Sequence, residues 1–378
     1  MSEGMTTMKR NDAPIALFTA TMGGGGAERA VVRLATGLAE RGYATDLVLA
    51  RDDDDASYAG ELSERVRVLR LGVPHAVLAT PPLARYLRRE RPQALLAALD
   101  YINVIALAAR RLSLTGTRVV ACEHNTLSVQ SRNSSQRRER LLPALVRHTY
   151  PWADVIVAVS DGVADDLAST AALARERVTV INNPVIVPGM IEMARQPCGH
   201  PWLRPGHAVP VALAVGRLTP QKGFDILIRA FAGVRRRRGA RLLILGEGPE
   251  RARLEALVAE LGLTRDVQLA GWVDNVYAYL ARADAFVLSS RWEGLPTVLI
   301  EALFCAVPVV ATDCPSGSRE ILDGGRFGRL VPVEDVATLA AALHDAYDGK
   351  VARAGAESWQ RYDLDVVVDH YLDVLAVA

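Results

Sequence analysis

Ser290-Arg291-Trp292-Glu293-Gly294-Leu295-Pro296-Thr297-Val298-Leu299-Ile300-Glu301-Ala302-Leu303 carries two carboxylates separated by seven residues, with a Gly-Leu-Pro break after the first. Upstream, Ala285-Phe286-Val287-Leu288 is a short apolar run of strand type. Downstream, Thr297 to Phe304 reads as a helix, with Pro296 at its first position, where a missing N–H is harmless. A loop at a strand's carboxyl end is where open α/β sheets bind ligands. The first amides of the helix, at Leu295, Thr297 and Val298, have no intrahelical acceptors and favour an anion. Glu301 stands among Leu299, Ile300, Ala302 and Leu303, and an ionised carboxylate in such company is costly unless something pairs with it. Taken alone, the two carboxylates also fit a solvent-facing Glu301 and a turn-forming Glu293.

Working outward, short apolar runs alternate with helical patterns on both sides. After residue 208, strands are expected at Val209–Val215, Leu242–Leu245, Val267–Leu269, Ala285–Leu288, Val307–Ala311 and Arg329–Val331. Helices fall between them at Phe224–Arg237, Pro249–Leu261, Val276–Ala283, Thr297–Phe304 and Asp335–Tyr347. An earlier series has strands at Ile15–Ala20, Thr45–Leu49, Val66–Leu71, Ala94–Leu99, Arg118–Cys122, Asp154–Val159 and Val178–Ile181. Its helices are Ala27–Arg41, Leu83–Arg91, Tyr101–Leu112 and one from Asp161. Between Asn182 and His207 the periodicity fails and prolines stand at 184, 188, 197, 201 and 205, the mark of a linker. The expectation is α/β: two βαβ domains facing across a cleft, residues 1–183 and 208–356, joined by a linker at 184–207. A length of 378 residues exceeds what one core usually holds. Residues 1–12 read as a loose tail.

Composition narrows the function. Half of the residues are apolar, and a net charge of +1 gives no global case for nucleic-acid binding. Lys9-Arg10 before the apolar Pro14–Met22 has the charge order of a signal peptide, yet the run is short and four glycines follow, so it is read as a first strand. Ala94–Ala109 is interrupted by Asp100 and Asn103 and is too short to span a bilayer, so any membrane role is expected to be peripheral. Cys122, Cys198, Cys305 and Cys314 show no CxxC spacing and fit a reduced, cytosolic protein. The Asp52–Asp55 run is read as a solvated loop, because no supporting metal ligands accompany it.

Charge is uneven along the chain. Pro81 to Tyr150 holds 12 Arg against 4 Asp/Glu, a local excess of +8. Within it, Gln136–Tyr150 sets Arg137, Arg138, Arg140 and Arg147 beside Leu141, Leu142, Leu145 and Val146. Such a helix can lie on an anionic membrane or grip a lipid-linked diphosphate; it can equally pack by its leucines with the arginines solvated. Arg235–Arg238 reads as a polar helix end.

In its strand and helix context the Glu293–Glu301 stretch resembles the Glu-x7-Glu motif of retaining glycosyltransferases of family 4, which have the GT-B architecture. The resemblance covers most of the chain and is strongest from Gly216 to Leu322. It implies two Rossmann-like domains, with the C-terminal segment 357–378 crossing back onto the first; Ser358–Leu375 has the length and apolar stripe for this. It implies that Glu293 holds donor-sugar hydroxyls and that Glu301 accepts both ribose hydroxyls, since a carboxylate takes two neighbouring O–H donors at once. Gly216-Arg217-Leu218-Thr219-Pro220-Gln221-Lys222-Gly223 resembles the family's Gly-Arg-Leu…Lys-Gly motif. Arg217 and Lys222 then face the departing nucleoside diphosphate, fixed cations doing the work of a metal ion. Leu295, Pro296 and Thr297 form the turn that meets the phosphates. Leu242–Pro249 followed by Leu254-Glu255 matches another family segment, and Gly271-Trp272-Val273 marks the loop whose backbone, at Val273, meets the nucleobase. Gly246-x-Gly248 is no dinucleotide fingerprint, because Arg251 fills the third glycine's place.

In the first domain a glycine run ends a strand and opens a helix, so phosphates or a sugar can approach its amides. No Gly-Lys-Ser/Thr follows, which excludes a P-loop. Gly25-Gly26-Ala27-Glu28-Arg29 resembles the Gly-Gly-x-Glu-Arg opening of bacterial polysaccharide members, making Gly25 and Gly26 candidate contacts. Glu123-His124-Asn125-Thr126 follows a strand, and the resemblance gives His124 a sugar-positioning role. In the family's front-face mechanism the leaving phosphate oxygen takes the acceptor's proton. Asp313-Cys314-Pro315-Ser316-Gly317-Ser318-Arg319-Glu320-Ile321-Leu322 resembles a segment of enzymes that build capsule, O-antigen and lipid-linked oligosaccharides, several using UDP-N-acetylhexosamines or UDP-galactose. Ser318 replaces that segment's proline, and Ala306 a glycine usual before Pro308.

The expectation is a retaining, metal-independent, cofactor-free transfer of a hexose or N-acetylhexosamine from a UDP-sugar to a glycan acceptor on a polyprenyl diphosphate. Its place is the cytoplasmic face of the plasma membrane, with peripheral contact to anionic lipid. The rivals are a sugar-nucleotide epimerase of the same architecture and an inactive nucleotide-binding scaffold; the intact set Arg217, Lys222, Glu293 and Glu301 argues against the scaffold.

Overall fold

A computed structural model describes residues 13–52, 57–133 and 137–376, with the backbone alone for 137–139. The loose-tail reading of 1–12, most of the Asp52–Asp55 run, and the Arg137 and Arg138 side chains lie outside the described residues. The chain forms two compact units: Met1–Val159 with Ala164–Pro184 and Val367–Ala378, and Ser160–Val163 with Val185–Val366.

The first unit is built on a sheet of β1 (Ile15–Thr19), β2 (Thr45–Leu49), β3 (Arg67–Arg70), β4 (Ala94–Ala98), β5 (Arg118–Glu123), β6 (Val155–Ala158) and β7 (Val178–Val180). The order is β3-β2-β1-β4-β5-β6-β7, with every pair parallel. β1, β2 and β4 are buried along their whole length, as continuous apolar strands covered on both faces must be. Asp46 within β2 is the exception the rule permits. It is 2% exposed, and Arg67 (2.8 and 2.6 Å) and the Tyr86 hydroxyl (2.6 Å) satisfy its two oxygens.

The second unit repeats the plan with β8 (Val211–Val215), β9 (Arg241–Leu245), β10 (Val267–Gly271), β11 (Ala285–Leu288), β12 (Val309–Thr312) and β13 (Arg329–Val331), in the order β10-β9-β8-β11-β12-β13. Its pairs are parallel too. Leu227, Phe231, Leu242, Ile244 and Leu343 close its core without exposure. In each sheet the order reverses once, between β1 and β4 and between β8 and β11. Those reversals are the topological switch points.

Two expectations need correction. The segment 184–207 is no free linker: from Val185 it folds onto the second unit. Val185, Ile186, Met190 and Leu203 are buried, and a helix at Met190–Arg195 is gripped by Asn275 Nδ2 donating to Met193 O (2.8 Å) and Arg282 Nη1 donating to Ala194 O (3.0 Å). The prolines break the periodicity, while scattered apolar side chains still find a core. The C-terminal segment also turns later than expected. Two 3-10 turns, Ala356–Ser358 and Gln360–Tyr362, precede the helix Leu364–Leu375, and the first unit regains the chain only at Val367. There Tyr371 Oη lies 3.3 Å from Cys122 Sγ, and Arg118 Nε donates to Val374 O at 2.8 Å. Among the described residues no helix is long and apolar enough to cross a membrane.

Candidate active site

In the second unit β8 and β11 lie side by side, and the loops leaving their carboxyl ends carry Arg217–Lys222 and Ser289–Pro296. Gly223, at φ +61°, lets them touch: a Cβ there would stand 2.1 Å from Ser289 O. Arg291 N donates to Gln221 O at 2.7 Å and Gln221 Nε2 to Trp292 O at 2.9 Å. The Arg291 guanidinium forks onto Asp225 at 3.0 and 2.9 Å. Thr312 Oγ1, at the end of β12, donates to Ser290 O at 2.6 Å. The loop is therefore fixed at its first half before any ligand arrives.

Glu293 is 6% exposed. Its Oε1 accepts from Lys222 Nζ and from Ser290 Oγ, each at 2.6 Å, so the ion pair and a hydroxyl supply what burial demands. Arg217 is exposed and, among the described residues, has no ion-pair partner. Glu301, 4% exposed, projects from the helix Thr297–Phe304 and accepts from the Tyr277 hydroxyl at 3.0 Å. Pro296 precedes that helix as its N-cap, with ψ 91° outside the helical range; the expected first helical position falls instead on Thr297. No side chain caps this end, and among the described residues the amides of Leu295, Thr297 and Val298 meet no acceptor. Val273 is half-buried in the loop after β10. Gly246 and Gly248 are packing glycines, whose Cβ atoms would stand 2.1 Å from Gly216 O and 2.4 Å from Leu218 O.

In the first unit the glycine run follows β1. Gly25 is the N-cap of the helix Gly26–Glu40 and makes no side-chain cap hydrogen bond; a Cβ on it would stand 2.8 Å from the Glu28 carboxylate. Arg29 and Arg33 each bond Glu61 at 2.7 Å and serve the fold. His124 follows β5 at 7% exposure. Its Nε2 lies 3.4 Å from Cys122 Sγ, while Nδ1 has no hydrogen-bond partner among the described residues. Burial lowers its pKa from 6.5 to about 4, so the ring is neutral at neutral pH. Beside it Glu123 is fully buried. Tyr150 Oη donates to Glu123 Oε2 at 2.6 Å, Asn103 Nδ2 donates to Tyr150 Oη at 2.9 Å, and the His124 amide donates to Glu123 Oε1 at 3.2 Å. Burial, and then the neighbouring Asp100 charge, hold the Glu123 carboxyl well above its usual range.

The sequence reading missed Ser290, Tyr277 and the Glu123–Tyr150–Asn103 group. Glu123 was legible as an acid closing an apolar strand; nothing in Val276–Leu280 singles out Tyr277. Among the described residues no three or more His, Cys, Asp or Glu side chains gather as metal ligands would.

The chain is similar to known proteins along most of its length. The family described as Glycosyltransferase Family 4 matches residues 24–187, and Glycosyl transferases group 1 matches 209–348. A Campylobacter jejuni relative, the N-acetylgalactosamine-N,N'-diacetylbacillosaminyl-diphospho-undecaprenol 4-alpha-N-acetylgalactosaminyltransferase, is 32% identical over 334 residues, 85% of this chain and 86% of its own. The lipopolysaccharide core biosynthesis glycosyltransferase LpsE of Rhizobium meliloti is 28% identical over 93% of this chain and 96% of its own. Among solved structures, Anabaena HepE in complex with UDP-glucose shares the fold at a TM-score of 0.77 and 21% identity, covering 96% of this chain and 99% of HepE.

Proposed function

Since the chain belongs to the family 4 glycosyltransferases and has the GT-B fold, we propose that it transfers a hexose or N-acetylhexosamine from a UDP-sugar to a glycan acceptor carried on a polyprenyl diphosphate, in assembly of a bacterial cell-surface glycan. The carrying observation is the Lys222–Glu293 pair at 2.6 Å, at the second unit's switch point, with Glu301 buried on the helix that follows. An undecaprenyl-diphosphate glycan is named in the Campylobacter relative and UDP-glucose in the HepE complex.

In this reading Glu293 accepts donor-sugar hydroxyls and Glu301 accepts from the ribose. Val273 offers its backbone to the base, and Arg217, Lys222 and the Leu295–Thr297 turn meet the diphosphate. Lys222 has three ammonium donors; Glu293 uses one, leaving two for phosphate. These cations stabilise the charge that builds on the leaving group, and no metal is needed for that task. In the retaining, front-face step the acceptor oxygen bonds to the anomeric carbon as the bond to UDP breaks. The acceptor's proton passes to the departing phosphate oxygen. For the first unit taken by itself, the proposed roles are sugar positioning for His124, neutral and buried, and contact with sugar or phosphate for the amides of Gly25 and Gly26.

Membrane contact falls to the helix Arg137–Thr149. Leu142 and Val146 are packed, whereas Leu141 (64%) and Leu145 (48%) are exposed one turn apart beside exposed Arg140 and Arg147. That face suits anionic lipid at the cytoplasmic surface. Leu141→Glu with Leu145→Glu should weaken binding to phosphatidylglycerol vesicles at least about tenfold, since two leucines lose their burial; equal binding would contradict this placement.

The deciding assay offers UDP-sugars and polyprenyl-diphosphate glycans in EDTA and follows product mass and anomeric coupling by NMR. An added sugar with the donor's configuration is expected. Inversion would overturn the retaining step, and donor turnover without acceptor would favour the epimerase.

A further inference from the structure

The segment Asp313–Leu322 has no part in the roles above, yet it packs against the back of the Glu293 loop. Ser316 and Gly317 are both left-handed, at φ +72° and +81°. A Cβ on Gly317 would stand 2.5 Å from Pro296 Cδ and 2.9 Å from Gly294 O. Ser316 Oγ reaches Gly294 O at 2.8 Å, Ser160 Oγ reaches the same carbonyl at 2.9 Å, and the two hydroxyls are 2.8 Å apart. Ser160–Val163 cluster with the second unit, so this triangle is internal to it. The fit is close: a Cβ on Gly162 would stand 2.8 Å from Ser316, and the Asp161 amide donates to Glu320 Oε2 at 2.9 Å.

Two hydroxyl protons serve three oxygen–oxygen edges. Every arrangement that uses both protons within the triangle sends at least one to the Gly294 carbonyl. A trans peptide is planar, with its C=O and N–H pointing opposite ways. Holding Gly294 O on one side therefore fixes the Leu295 N–H on the other, and that amide meets no acceptor among the described residues. A hydrogen bond to the carbonyl also polarises the peptide and strengthens its N–H as a donor.

We propose that Ser160 and Ser316 are positioning residues for the nucleotide-sugar donor, holding the Gly294 carbonyl so that the Leu295 amide is aimed at the diphosphate. This rests on the donor reading given above. It also gives the Cys-Pro-Ser-Gly stretch its task, as the support behind the loop.

The test titrates UDP and uridine, followed by NMR, into wild type, Ser316→Gly, and the double variant Ser160→Ala with Ser316→Gly. Thermal unfolding is run on each, because Ser160 Oγ also accepts from the Val163 amide at 3.3 Å. Glycine at 316 deletes the hydroxyl while relieving the left-handed backbone. The single variant keeps one donor and should lose less UDP affinity than the double variant. The double variant should lose about tenfold in UDP affinity, one charge-assisted contact, with uridine affinity unchanged. Unchanged UDP affinity in a folded double variant overturns the proposal, and so does an equal loss for UDP and uridine, which marks general loosening. Wild type that binds no UDP would refute the donor reading itself, and this inference with it.

Discussion

Each unit places a buried glutamate at the carboxyl edge of its parallel sheet, and the two are treated in opposite ways. Glu293 stands 2.6 Å from an ammonium and 2.6 Å from a hydroxyl, as one half of an ion pair. Glu123 has a phenol at 2.6 Å and the Asp100 charge as neighbour, and burial pushes it toward the protonated form. The same residue type, at equivalent ends of similar sheets, is paired with an ammonium and a hydroxyl in one unit. In the other it is a carboxyl braced under the His124 peptide, whose ionisation burial opposes. Strand position brings a side chain to the functional edge; the second partner decides its chemistry.

The largest expected effect comes from removing the anion. Glu293→Ala should lower kcat/KM by about a hundredfold or more, the scale of a lost preorganised polar contact to the reacting sugar. The same change also strands Lys222 in the folded protein, so Glu293→Ala with Lys222→Met should fold more stably than Glu293→Ala alone. Steady-state kinetics and thermal unfolding check both. Wild-type rates in Glu293→Ala would erase the contrast between the two glutamates.

Glu123 should respond to shape more than to charge. Glu123→Gln is expected to stay within about 1 kcal/mol of wild type, because a protonated carboxyl and an amide offer similar hydrogen bonds. Glu123→Ala, which strands the Tyr150 hydroxyl, should cost about 2–4 kcal/mol in chemical denaturation. Equal losses for Gln and Ala would mean that Glu123 carries a needed negative charge.

The smallest effects are slopes with pH. Folded Glu123 keeps a proton that the unfolded chain releases above 4.5, so its contribution to stability falls as pH rises past that value. His124 has the opposite sign: between 6.5 and about 4 the unfolded chain binds the proton that the folded ring refuses, so stability falls as pH drops through that window. Glu123→Gln should remove the first slope and His124→Gln the second. Unfolding free energies measured from pH 4 to 8 separate them.

Much of the frame was legible in the sequence because parallel strands buried on both faces are written as apolar runs. Ala285–Leu288 and Thr45–Leu49 fall where their runs predict, even with Asp46 inside the second. The segment 184–207 was misread because proline density marks where periodicity ends; it does not say whether a few scattered apolar residues find a core. At the candidate site Glu301 stood out because a charge inside an apolar helix is costly, and Glu293, Arg217 and Lys222 stood out through the motifs that resemble those of the family. Their partners did not. Ser290, Tyr277, Ser160 and Ser316 are ordinary residue types, and only the folded loops bring Ser160 to a carbonyl 134 residues further on.

The measurement that tests the account most directly is a calorimetric titration of UDP, in EDTA, into wild type and Glu301→Ala. The account predicts saturable, metal-free binding to wild type and a loss of about a hundredfold in the variant, as two charge-assisted ribose contacts disappear. No binding of UDP to folded wild type, or equal affinity in Glu301→Ala, would contradict it.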